Sequence, residues 1–336
     1  MELIPIELLR DILSRCSRYA PVLKETCNEW NEILSNTNVD KVVLSFEQMA
    51  ERGHIDLLEY VERDKIGAKR IPNILRHAAK GGHLNIMHLA KKWGAINYNE
   101  ALESSAEYCR IEAMHSLKKW GATRYNRPLA IAAKNGHIVA MRLLKDWGAD
   151  DYDWALASAA EFGQIPAMHS LKKWKATHYN LALAAAAIGG QISAMHSLKK
   201  WGADDYNQAL RSATMRGRIT AMHLLKKWGA NDYDWALAGA AEVGQIQAMY
   251  LLKKWGATNY ELALSNAAMT GHILTMRLMK EWGATKYDWA LSVAAWAGQI
   301  PAMHLLKEWG ATAYDDALVC GSHRIEIVNL LKNWIN

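Results

Sequence analysis

The sequence predicts an all-α stack of short helical repeats, and three observations carry that prediction. A block of 27 residues recurs along most of the 336-residue chain. Trp returns in register at positions 93, 120, 147, 174, 201, 228, 255, 282 and 309, and Tyr at 98, 125, 152, 179, 206, 233, 260, 287 and 314. Inside each block the apolar residues fall at helical spacing. A fixed period of this size marks a solenoid whose units touch only their neighbours. Such a chain offers a long surface and no closed reaction centre, which points to binding.

The block Asp153 to Tyr179 serves as the pattern for the others. It opens on Asp153, matched by Asn99, Asn126, Asn180, Asn207, Asp234, Asp288 and Asp315, with Glu261 the one departure. Asx residues are strong helix N-caps, so this position is expected to cap a first helix over about 154 to 162. Ala155, Ala159 and Ala160, beside Leu156, give that helix a small-residue face for close packing. Gly163 is expected to end it, because glycine adopts the left-handed conformation at little cost. A second helix begins near Pro166, carries the stripe Ile165, Met168 and Leu171, and closes on Trp174. In most blocks Gly follows the Trp, as at Gly121, Gly148 and Gly202, which reads as a C-terminal cap. Lys175 stands at that place in one block, and Cys109 replaces the mid-block glycine in another. Helices of about nine residues are marginal alone in water, so the array must fold through its interfaces.

Along the chain, residues 1–40 do not repeat, and residues 41–336 form the array. Eight clean units run from Asn99 to Tyr314, with a ninth at about 72–98 and degenerate units at about 47–71 and 315–336. Terminal units are expected to be atypical because they cap the stack.

Bulk properties bound the function. Apolar residues make up 51% of the chain but are interspersed with charge, so no run suits a bilayer span. The opening residues carry Glu2, Glu7 and Asp11, unlike a secretory signal. Cys16, Cys27, Cys109 and Cys320 form no disulfide framework and no zinc pattern. A soluble chain of the cytoplasm or nucleus is expected. There is no Gly-rich phosphate loop, nucleophile elbow or paired-carboxylate constellation, so neither catalysis nor a cofactor is expected.

Ala132 to Asp150, AAKNGHIVAMRLLKDWGAD, resembles the ankyrin repeat in its AAxxGH turn and later LLxxGAD. Ankyrin units are usually about 33 residues. The six missing here fall where ankyrins carry a projecting β-hairpin. The resemblance implies an ankyrin-like solenoid without those fingers, recognising its target through the concave first-helix side. The segment IPIELLRDILSRCSRYAPVLKETCNEWNEIL resembles an F-box, through Pro5, Leu8, Leu9, Ile12, Leu13, Leu23 and Trp30. That resemblance implies docking of a Skp-type linker of a cullin ubiquitin ligase. A second reading is that the same leucines cap the first repeat. Arrays of this composition also resemble ankyrin/F-box proteins of large DNA viruses, which would place the chain in a host cell.

Several stripes invite a functional reading. The tryptophans suit packing between adjacent units better than a stacking ladder, and each Tyr is expected to pack on the preceding repeat. Histidines 88, 115, 169, 196, 223 and 304 recur about 10 Å apart on helix-packing distances, too coarse to share a metal ion. His137 and His272 alternate with Gln, which points to a hydrogen bond across the turn. The Lys-Lys pairs, such as Lys118-Lys119 and Lys199-Lys200, read as a solvated face, with a basic nucleic-acid stripe as the rival. The positions that vary between units are the candidates for target binding: Trp154, Glu161, Arg211, Met215, Trp235, Trp289 and Trp296. The expected role is therefore a protein–protein interaction module, a substrate adaptor for a cullin-type ligase, with a passive scaffold as the alternative.

Overall fold

The computed structural model describes residues 45–60 and 68–335. Every element among them is a helix, and no strand is present among the described residues. The chain divides into two compact units, one ending at Asp151 and one beginning at Tyr152. Within each, helix–turn–helix pairs follow one another: Ile71–Gly81 with Leu84–Lys92 in the first unit, and Tyr152–Glu161 with Ile165–Lys173 in the second. First helices pack side by side on the first helix of the next pair, much more closely than second helices do. These are helix–turn–helix pairs joined by short links.

Alanine makes this close approach possible. Ala155, Ala159 and Ala160 are fully buried, as are their counterparts Ala182, Ala186 and Ala187. Leu156, Met168 and Leu171 fill the space between the two helices of the pair and are also fully buried. Each such side chain contributes about 1.5–3 kcal/mol. Ile165, the first residue of the expected stripe, is only half-buried, and Ala167 takes its place in the core.

In each pair from residue 71 to residue 310 both turns end in a left-handed residue. In the pair at 152, the Gln164 amide donates to Ala159 O at 2.9 Å and the Ala176 amide to Leu171 O at 3.1 Å. These six-to-one bonds satisfy carbonyls that the helix ends would otherwise orphan. Among the described residues, Cys109 (φ 54°) and Lys175 (φ 76°) are the two non-glycine residues with positive φ, so the two exceptions seen in the sequence keep the backbone of the glycines they replace. Gly163 meets a second constraint. A Cβ on it would lie 2.5 Å from the Gln191 amide oxygen of the next pair. The residue after the turn glycine thus leans on the pair before it. His137 Nε2 lies 3.0 Å from Glu107 O, and Arg218 Nε donates to Ile188 O at 2.9 Å. The bond expected across the turn is therefore made to the preceding pair.

The Asx position needs a correction. It is not the N-cap. Helices open on the Tyr, as at Tyr152 and Tyr206, and the capping residue stands one place earlier. There Asp205, Asp232 and Asn259 accept from Gln208, Trp235 and Leu262 amides at 2.9–3.1 Å. The Asx side chain instead reaches forward into the following link. Asp153 Oδ1 accepts from the amides of Thr177 and His178, and Asn126 Oδ1 from those of Asp150 and Asp151. Asn99, Asn180, Asn207, Asp234 and Asp288 do the same, 24 and 25 residues ahead. Glu261 manages it by using both oxygens, one on Thr285 and one on Lys286. The position is a staple between successive pairs, and its chemistry fits its target. Where it is Asn126 or Asn180, the amide nitrogen donates to Asp150 or Asp204. Where it is Asp or Glu, the facing residue is Thr177, Thr258, Thr285 or Thr312, so two carboxylates never meet. Pro72 occupies the place in the pair at 71 and has no such side chain; there Asn97 Nδ2 reaches back to Pro72 O at 3.0 Å.

Replacing Lys175 by Gly removes a left-handed side chain worth about 1 kcal/mol, so Lys175→Gly is expected to raise the melting temperature slightly; a fall would refute the cap assignment. Asp153 gives a pH-resolved test. Burial alone would raise its carboxyl, but the amides of His178 and Thr177 and the His178 ring outweigh that and hold it below the usual carboxylate range. Its stabilisation is therefore complete above the unfolded value of about 3.9 and is lost as pH falls through the lower folded value. Asp153→Ala, which deletes both staple bonds, should cost about 1 kcal/mol or more in urea unfolding at pH 7. Asp153→Asn should cost less, because Asn126 shows that an amide makes both bonds, and its deficit should vanish on acidification.

Candidate functional site

The recurrent Trp, Lys, His and Tyr residues meet in one repeated cluster. Trp201 is half-buried at the end of its second helix. Tyr179, which opens the same pair, tilts against it at 5.8 Å between ring centroids. The preceding pair supplies His169, edge-on at 5.1 Å, and Lys172, whose ammonium sits 4.6 Å from the indole centroid and 5.8 Å from that of Tyr179. The arrangement recurs. Lysines 91, 118, 172, 199, 226, 253, 280 and 307 each lie 4.4–4.7 Å from the Trp of the following pair. The tryptophans do pack between units, but in a half-exposed outer seam; the core proper is Ala, Met and Leu. The tyrosines touch the preceding repeat through its lysine, as expected, and also tilt against the Trp of the pair they open.

This seam changes the meaning of the lysine stripe. The first lysine of each pair is committed to an aromatic face, and the second is exposed. Lys280-Glu281 and Lys307-Glu308 fit that division, since the acidic residue replaces the uncommitted second lysine. A cation held over an indole retains its charge but is tied to the stack. Histidines 88, 115, 169, 196, 223 and 304 are spent the same way, each edge-on to a Trp. Among the described residues no group of three or more His, Cys, Asp or Glu could hold a metal ion. No described helix is long and apolar enough to cross a membrane.

The outward face of the first helices is where the pairs differ. It is made by the third, sixth and tenth helical positions counted from the opening Tyr, which share one side of the helix. In the unit ending at Asp151 this face is charged. Arg76, Glu100, Glu103, Glu107 and Arg127 lie on it. Arg127 Nε meets Glu103 at 3.2 Å, yet burial still pushes the Glu103 carboxyl up against that attraction. Glu51 bridges Lys80 at 2.7 Å and His77 at 3.0 Å, and the Lys80 bond holds its carboxyl below the usual range.

In the unit beginning at Tyr152 the same face is largely apolar. Trp154 and Trp289 are each 44% exposed, Trp296 is 57% exposed, and Trp235 and Met215 are half-buried. Leu181, Ile188, Leu262 and Met269 continue the face. Between its two edges run small residues pressed down by their neighbours: Ala157, Ala184, Ala238 and Ser265. Arg211 breaks that row. Its guanidinium lies 5.2 Å from the Trp235 ring centroid, and its Nη2 bonds Glu242 at 3.0 Å. Gly239 leaves the room, since a Cβ there would meet Arg211 Cγ at 2.9 Å and Met215 Cγ at 3.4 Å.

The structure thus brings together Arg211, Met215 and Trp235 with Glu242, another of the first-helix positions that vary along the sequence. Glu161 lies at the same helical position as Glu242, half-buried. Leu181 and Ile188 were missed, although their register with Trp154 and Glu161 could have found them. The F-box-like candidates Pro5, Leu8, Leu9, Ile12, Leu13, Leu23 and Trp30 lie outside the described residues.

No protein-family model matches this chain. No curated protein matches it either. Among solved structures it is similar to the ankyrin repeat domain of human ASB11, at 20% sequence identity and a TM-score of 0.39, over 55% of this chain and 98% of that one.

Lys199→Ala and Lys200→Ala separate the two lysine roles. The first lysine gives up its place over Trp228 and should lower stability by roughly 0.5–1 kcal/mol. The second should be neutral within about 0.5 kcal/mol. Equal losses in thermal unfolding would refute the division.

Proposed function

We propose that this chain is a protein–protein interaction module whose first-helix face, in the unit beginning at Tyr152, holds a protein target. One observation carries the reading. The stacking positions repeat nearly unchanged, while the outward face varies and leaves Leu181, Trp289 and Trp296 at 44–57% exposure. Large apolar groups kept in water on an otherwise repetitive scaffold mark an interaction surface. Trp and Arg, both on this face, are the residues that most often anchor interfaces. The chain performs no chemistry in this reading and needs no cofactor.

The finer reading makes it a substrate adaptor of a cullin-type ubiquitin ligase. Residues 1–40 dock a Skp-type linker through Leu8, Leu9, Ile12 and Leu13, and residues 41–336 present the target, in the cytoplasm or nucleus. Support comes from the F-box-like spacing and from the size of the segment, too small to bury its own apolar faces. A nucleic-acid role is disfavoured because the recurrent first lysines already sit over tryptophans.

The full-length chain mixed with a Skp-type linker should elute as a complex in size-exclusion chromatography, and Leu9→Asp with Leu13→Asp should abolish it at unchanged helicity. A folded chain that forms no complex removes the adaptor reading and leaves the interaction module, with residues 1–40 as a cap.

A further inference from the structure

We infer that the groove across the first helices between Tyr179 and Ala297 takes an amphipathic α-helix from a partner protein, with a carboxylate seated over Arg211. This rests on the interaction-module reading and specifies its ligand.

Width comes first. The edges of the groove are the third and tenth positions of each helix, as in Trp235 against Glu242 and Trp289 against Trp296. Seven residues of helix separate them, about 10.5 Å, which matches the roughly 10–12 Å diameter of an α-helix with its side chains. The floor between them is shallow because Ala184, Ala238 and Ser265 are small and nearly fully buried. Period comes second. Stacked helices lie about 8–10 Å apart, so the edge residues recur at that interval along the groove. A partner helix returns one face every seven residues, about 10.5 Å along its axis, close to one contact per pair. An extended strand reaches that distance in three residues, by which point its side chain has changed face.

Charge comes third. Within this stretch the floor carries one cation, Arg211. Trp235 supports its plane and Glu242 takes Nη2, while Nε is buried with no acceptor. A guanidinium has five N–H donors, and the structure gives this one a single hydrogen bond. A carboxylate arriving on an apolar helix would meet the terminal N–H donors that Glu242 leaves unused, on a guanidinium already held in place and 28% exposed.

The test is a displayed library of 22-residue helix-forming peptides, apolar at seven-residue spacing and fully randomised at the seven central positions, selected on the full-length chain. Selected peptides should share Asp or Glu at one central position and become helical on binding. Arg211→Ala should weaken them roughly tenfold or more, and selection on Arg211→Glu should return Lys or Arg there instead. Alanine already occupies this register at Ala184 and Ala238, so Arg211→Ala with Glu242→Ala provides a folded control, checked by its melting temperature. Binders that are extended, proline-rich or indifferent to Arg211, yet lost on Trp296→Ala, overturn the helix-and-carboxylate proposal and leave the interaction face standing. If no binder depends on Trp289 or Trp296, both fall. A concentration-dependent dimer abolished by Trp296→Ala would assign the groove to a second copy and overturn the proposal as well.

Discussion

No described helix is long enough to stand alone, and that constraint organises everything else. Helices of 6–11 residues sit below the length at which an isolated helix is stable in water. Stability must therefore come from the junction between one pair and the next. The chain meets the need on three levels. Alanine faces let first helices approach closely, the Asx or Glu staple ties the first helices that carry it to the link ahead, and the Trp seam packs at the ends of the second helices. The staple needs only a side-chain oxygen that accepts from two link amides, which is why the position from Asn99 to Asp288 is filled by Asn, Asp or Glu.

The same constraint explains where variation is permitted. A residue that contacts the neighbouring pair is repeated because its partner is repeated. Positions that point away from both neighbours are released, and on the first helices these form the outward face. The two units use that freedom differently. Up to Asp151 the face carries Arg76, Glu103 and Arg127, which are at home in water; from Tyr152 it carries Trp289, Trp296 and Leu181, which are not. A stack needs no exposed tryptophan for its own stability, so folding alone leaves the apolar face unexplained.

Much of the architecture could be read in advance. The period, the two helices, both left-handed turns and the exceptional backbone at Cys109 and Lys175 followed from residue spacing and from what glycine can do that other residues cannot. The candidate face was partly legible, because Trp154, Trp235, Trp289 and Trp296 depart visibly from the repeat. Leu181 and Ile188 escaped notice, being ordinary residues whose meaning lies in their register. Glu242 varies visibly along the repeat, but spacing gave no sign that its carboxylate pairs with Arg211, 31 residues back.

What sequence alone determined is the local grammar: which segments are helical, where each one stops, and which residues must be small. Those properties depend on neighbours within a turn or two of the chain, so spacing encodes them. Only the tertiary structure decided who meets whom across 24 to 32 residues. It turned a supposed N-cap into an inter-pair staple, gave tyrosine the Trp ahead of it as well as the lysine behind it, and split each lysine pair into one tied cation and one exposed. A periodic sequence looks the same whether a side chain reaches forward or backward by one unit, and that direction is set by how the stacked helices are offset in space.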